Sequence, residues 1–150
     1  MFRDGPERVL VFRIGAERFA VRLSAVDEVV DAPTVRPLPD TADRVMGLAT
    51  IRGALVTIYD PRPLLNMTGD VNDAALLFTR GGARVGIAIG GVYDTVLVEQ
   101  AEVRPAPGTE LSDRLLLGVV KRDRSLIAIL DAGVLVDAAV GVAEALGERT

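Results

Sequence analysis

The sequence predicts an all-β chain in which one unit of about five short strands occurs twice, each copy curling into a small barrel, with short helices and a helix at the C-terminal end. Three observations carry this. Apolar residues alternate or run in short stretches between glycine-rich turns. The pattern of residues 10–64 returns, in the same order, over residues 76–135. Short strands joined by tight turns also leave open sheet edges, which closure into a barrel removes.

Taken in order, Val9 to Ile14 and Arg18 to Leu23 alternate on either side of Gly15-Ala16, the pattern of an opening hairpin. Leu10, Phe12 and Ile14 share one face, and Phe19, Val21 and Leu23 share another. Ser24 is placed to cap one turn, Val26 to Val30 leads into a third strand, and Asp31 to Asp40, broken by three prolines, reads as a loop. The stretch Gly47 to Leu65 then packs strand, turn, strand and helix start together. Gly53 separates the apolar runs Leu48 to Ile51 and Leu55 to Tyr59, and at Asp60-Pro61 a carboxylate can accept from free backbone N–H groups beside a proline preset for a helical turn. A short helix is expected there. Asn66 to Asp73, polar and carrying Gly69, divides the two apolar halves.

A shift of 66 residues places Leu10, Phe12, Gly15, Arg18, Val21, Leu23, Val26 and Val30 on Leu76, Phe78, Gly81, Arg84, Ile87, Ile89, Val92 and Val96. Val35-Arg36-Pro37-Leu38-Pro39 returns 68 residues on as Val103-Arg104-Pro105-Ala106-Pro107. By a shift of 71, Gly47, Leu55, Val56, Ile58, Asp60 and Leu64 fall on Gly118, Leu126, Ile127, Ile129, Asp131 and Leu135. The growing offset is what small loop insertions produce, so the chain is read as a single domain with copies at about residues 8–68 and 74–138. From Ala132 to Leu146, the residues Leu135, Ala138, Ala139, Val142 and Leu146 recur at helical spacing. This helix, at about residues 132–146, is expected to pack on the barrels despite Gly133 and Gly141, each unfavourable by up to about 1 kcal/mol. Gly147 to Thr150 should fray.

Composition narrows the function. With 49% hydrophobic residues over 150 positions, the chain can fill a real core. A net charge of -4, 4% aromatic residues and no Trp leave neither the basic face nor the stacking groups that nucleic acid requires. The absence of Cys and His removes disulfides, thiolate chemistry and the commonest general base and metal ligand. Lys121, the only lysine, lies with Arg122-Asp123-Arg124 in an expected strand-turn-strand loop. Asp27 and Glu28 are adjacent in an extended stretch and point to opposite faces, and Asp60 and Asp131 read as equivalent helix caps, so no carboxylate pair points to hydrolysis. The expectation is a protein that is not an enzyme and uses neither cofactor nor metal. No apolar run approaches the ~18 residues of a membrane span, and Met-Phe-Arg-Asp-Gly-Pro at the start has no apolar signal region, so a cytoplasmic protein is expected.

Leu55 to Tyr59, Leu115 to Val120 and Leu126 to Leu130 are apolar on both faces. One face can fill a barrel, and the other needs cover from the sister barrel, a helix or another protein. This surplus points to an interaction module. Arg52, a guanidinium at a strand end among apolar neighbours, must reach solvent, pair with a carboxylate or meet a partner.

With these elements placed, the chain resembles the CheW family, adaptor proteins of bacterial chemosensory arrays. The likeness is carried by VLVFRIGAERFAVRLSAVDEVV at Val9 to Val30, GLATIRGALVTIYDPRPLL at Gly47 to Leu65, VGIAIGGVYDTVLV with the following VRPAP between Val85 and Pro107, and LLLGVVKRDRSLIAILD at Leu115 to Asp131. The resemblance implies two SH3-like five-stranded β-barrels packed side by side. It also implies a non-catalytic scaffold, bridging the cytoplasmic tip of a methyl-accepting chemotaxis receptor to the regulatory domain of the histidine kinase CheA. The kinase carries a related domain, but it needs a phosphotransfer histidine, and this chain has none.

By motif match, the receptor-facing residues implied are Val26, Glu28 and Arg52, while kinase binding is not assigned to individual residues. Two departures stand out: the family's N-L-R-G reads Thr50-Ile51-Arg52-Gly53, and its D-L-R reads Asp60-Pro61-Arg62. They leave open an accessory CheW-like protein that retains one partner. A small-ligand sensor using the groove between barrels is the alternative from another class.

Overall fold

The computed structural model describes residues 5–39, 44–106, 111 and 113–148, with side chains described to residue 141. Pro107 of the second proline motif, Asp40, and the side chains of Val142 and Leu146 lie outside the described residues.

Eleven strands among the described residues form two sheets. The first part of the chain supplies β1 (Glu7–Ile14), β2 (Glu17–Arg22), β3 (Glu28–Asp31), β4 (Val35–Arg36), β5 (Val45–Ile51) and β6 (Ala54–Tyr59), then the short helix α1 (Arg62–Leu65). The second supplies β7 (Ala74–Arg80), β8 (Ala83–Ile89), β9 (Gly91–Val98), β10 (Leu116–Arg122) and β11 (Ser125–Leu130), then α2 (Ala132–Glu148). One sheet runs β10-β11-β2-β1-β9 and the other β3-β7-β8-β6-β5-β4. No helix among the described residues is long and apolar enough to cross a membrane.

This order corrects the expectation that each copy forms its own barrel. The hairpin β1-β2 pairs with β9 and β11 of the second copy, and β7-β8 pairs with β3 and β6 of the first. The copies have exchanged their leading hairpins, and the two junctions are parallel pairings, Thr57 to Tyr59 beside Val85 to Ile87 and Ile127 to Ile129 beside Arg18 to Ala20. The chain is therefore two interlocked barrels that cannot be divided at the repeat boundary.

The exchange explains the strands that are apolar on both faces. On β1, Val9 and Val11 join Ala20, Val98, Val120, Ile127 and Ile129 in one barrel interior, whereas Leu10, Phe12 and Ile14 join the larger core built with the other sheet and α2. Phe12 stacks on Phe19 across β1-β2, with ring centroids 6.0 Å apart. On α2, Leu135, Val136, Ala139 and Val140 are buried, so the helix packs on the barrels through a face that shares Leu135 and Ala139 with the expected stripe and adds Val136 and Val140. Asp60 Oδ1 accepts from the Arg62 N–H at 2.9 Å, and Asp131 Oδ1 from the Val134 N–H at 2.9 Å, at the starts of the two helices.

Two local expectations change. Ser24 lies inside the 3-10 turn Leu23–Ala25 and not at its cap: the capping position falls on Arg22, which makes no side-chain cap bond. The proline-rich loop contains a strand, β4, because Val35 and Arg36 keep their N–H groups between the prolines and pair with Ala49 and Leu48. In the second copy only the Arg104-Val119 bridge remains of it.

Candidate interaction surface

The turn between β5 and β6 consists of Arg52 and Gly53, both at positive φ (52° and 81°), the type I′ geometry that matches the twist of a hairpin. An arginine there accepts backbone strain that Gly or Asn would avoid. The turn projects its side chain from the end of the barrel, 74% exposed.

That side chain meets Glu28 at the start of β3. Arg52 Nη2 donates to Glu28 Oε2 at 2.7 Å, and Nε donates to both carboxylate oxygens at 3.0 and 3.2 Å. Arg84 on β8 donates through Nη1 to Oε1 at 3.1 Å. Donation from Arg52, and then the nearby positive charges of both guanidiniums, holds the Glu28 carboxyl below its ordinary value and outweighs its partial desolvation. Asp27, one residue back, accepts instead from the Thr79 hydroxyl.

Of the three residues expected from sequence, Glu28 and Arg52 are thus in direct contact, 24 residues apart in the chain. Val26 is half-buried, packs against the core, and donates its backbone N–H to Leu23 O at 3.1 Å. Leu55, two residues past Gly53 of the turn, is 70% exposed, so the charged cluster lies close to uncovered apolar surface. Sequence reasoning did not select Arg84. The only signal for it was its repeat equivalence with Arg18, which carries no information until the exchanged hairpin brings its side chain within reach of β3.

The equivalent corner of the other barrel is built differently. Repeat offsets put Asp94 where Glu28 stands, Asp123 where Arg52 stands and Arg18 where Arg84 stands. Two acids cannot pair there, and Arg18 instead stacks over Tyr93 at 4.2 Å from the ring centroid, while Asp94 accepts from the Thr95 N–H. Leu126, the equivalent of Leu55, is likewise 63% exposed.

Elsewhere two arginines close on carboxylates of their own barrel. Asp60 and Arg62 form a two-pronged pair at 2.8 and 2.9 Å, with Arg62 Nη1 also donating to Gly69 O at 2.8 Å. They line a groove of about 380 Å³ with Asn66 and Thr68 whose two charges are already joined to each other. Arg122 pairs with Glu102 and donates to Leu97 O at 2.7 Å, tying β10 to β9 across the gap in the sheet. Among the described residues no three acids gather as metal ligands.

A doubled, hairpin-exchanged β-barrel with a paired acid and arginine beside exposed leucine defines the class as a barrel interaction module. The chain belongs to the CheW-like domain family, whose pattern it matches over residues 8–140. It is 26% identical over 130 residues to the chemotaxis protein CheW of Klebsiella aerogenes, covering 83% of this chain and 78% of that one. With the chemotaxis protein CheW of Rhizobium meliloti it shares 23% over 133 residues, covering 85% and 86%. The crystal structure of the scaffolding protein TtCheW from Thermoanaerobacter tengcongensis superposes with a TM-score of 0.73 at 21% identity, covering 87% of this chain and 92% of that one. That likeness shows the fold, a pair of SH3-like barrels.

Proposed function

We propose that this protein is a non-catalytic adaptor of a bacterial chemosensory array, joining the cytoplasmic tip of a methyl-accepting chemotaxis receptor to the regulatory domain of the kinase CheA. It works in the cytoplasm and is held at the receptors by protein contacts alone. The observation that carries this reading is the Glu28-Arg52 pair, on residues singled out by motif match, at an exposed corner beside Leu55. Family membership supplies the context.

A receptor tip is a helical hairpin, and exposed apolar surface can receive its ridge while a rim charge sets register. Glu28 is 20% exposed and faces two guanidiniums, so its part is to orient Arg52, which reaches outward. Co-purification of the chain with a receptor-tip fragment, and separately with a CheA regulatory domain, tests the proposal. Both should be retained by the parent, and Arg52→Glu and Glu28→Arg, folded by circular dichroism, should lose the tip while keeping the kinase domain. Retention of neither by the parent would refute the adaptor; undiminished tip binding by both variants would refute the site.

A further inference from the structure

We infer that Arg84, brought to this corner by the exchanged hairpin, is a positioning residue that keeps Glu28 saturated and offsets the corner's acids, so that Arg52 presents its outward N–H to a carboxylate-bearing segment of the partner. The inference rests on the adaptor reading and adds the chemistry of the contact.

Glu28 receives four N–H contacts, three from Arg52 and one from Arg84. A carboxylate offers about four lone-pair sites, so these contacts use its capacity and Glu28 is not free to meet a partner's cation. It serves as an internal counter-ion. Arg52 spends Nε and Nη2 on that carboxylate, and its Nη1 has no acceptor among the described residues, on a side chain that is 74% exposed. The two guanidiniums balance Glu28 and the adjacent Asp27, so the corner is neutral on a chain whose net charge is -4. On an acidic protein, a neutral corner that turns a guanidinium N–H outward admits an acidic segment there while the rest of the surface repels it.

Arg84 reaches the cluster from a well-fixed place. It pairs with Thr79 across β7-β8, and Thr79 in turn donates to Asp27. The exchanged hairpin therefore grips the start of β3 at two adjacent acids. If Arg84 were lost, Glu28 Oε1 would be left with one weaker contact, and Asp27 and Glu28 would outnumber Arg52, making the corner net negative and repelling a carboxylate.

Two measurements on the full chain decide the matter. First, NMR titration of the Glu28 carboxyl without any partner: Arg84→Ala should raise its pKa toward the ordinary 4.5, with Arg84→Lys intermediate. An unchanged titration overturns the positioning role whatever the receptor does. Second, affinity for a receptor-tip fragment and for the same fragment with its tip carboxylates changed to amides. The parent should prefer the carboxylate form roughly threefold to fivefold at low salt, and Arg84→Ala, folded by circular dichroism, should lose most of that preference. Equal preference in parent and variant overturns the proposal. Failure of the parent to bind either fragment overturns the adaptor reading and the partner chemistry with it, while the titration still decides the role of Arg84.

Discussion

A Cβ placed on Gly47 would lie 2.1 Å from the carbonyl oxygen of Arg36, and Gly118 stands in the same relation to Arg104 at 2.6 Å. Both glycines sit at positive φ (147° and 151°), at irregularities in β5 and β10 where the β4-type segment crosses. The clash is with backbone, which has no rotamer to escape into. Gly47→Ala and Gly118→Ala should each destabilise by about 2 kcal/mol or more in urea unfolding. Gly53→Ala meets no atom within 4 Å and should cost only about 1 kcal/mol, from its positive φ alone.

The interlocked barrels predict a failure of the halves. Fragments cut between Asn72 and Asp73 would each lose the hairpin that completes their sheet, exposing the apolar faces of β1, β6, β7 and β11. Each fragment expressed alone should lack dispersed amide signals in NMR, and mixing the two should restore them. Independent folding of either fragment would show that its own hairpin can stand in for the exchanged one, and would overturn this prediction.

Leu55 and Leu126 hold uncovered surface that contributes little to folding. Leu55→Ser and Leu126→Ser should leave stability within about 0.5 kcal/mol of the parent. Phe12→Ala, at a residue with no exposure and a stacked partner, should cost about 3–5 kcal/mol. On the adaptor reading, Leu55→Ser should also weaken receptor-tip binding at unchanged melting temperature.

Acid sensitivity follows from two glutamates. Donation from Arg52 holds Glu28 below its ordinary 4.5, and donation from Arg122, with the Glu99 N–H, does the same for Glu102. A depressed carboxylate contributes stability above its unfolded value and loses it as pH falls through the folded value. Urea midpoints should therefore be flat between roughly pH 6 and 8, where no histidine titrates, and fall below 4.5. In Glu28→Gln/Glu102→Gln the acid fall should be smaller.

What the sequence determined by itself was local. Two-residue turns, period-two alternation, the Asp60 and Asp131 caps and the spacing of Leu135 and Ala139 each depend on residues close together in the chain, and all could be read. So could the duplication, and with it the equivalence of Gly47 with Gly118. Only the tertiary structure decided which hairpin completes which sheet. Because the copies share one apolar pattern, β7-β8 satisfies the alternation beside β6 as well as β1-β2 would, and periodicity cannot tell the two pairings apart. The parallel junction of Thr57 with Val85 is fixed by the packing of both barrels together. Arg84 meets Glu28 only because the exchanged hairpin also pairs β7 with β3, so the third member of the charged cluster was hidden in the sequence for the same reason that the exchange was.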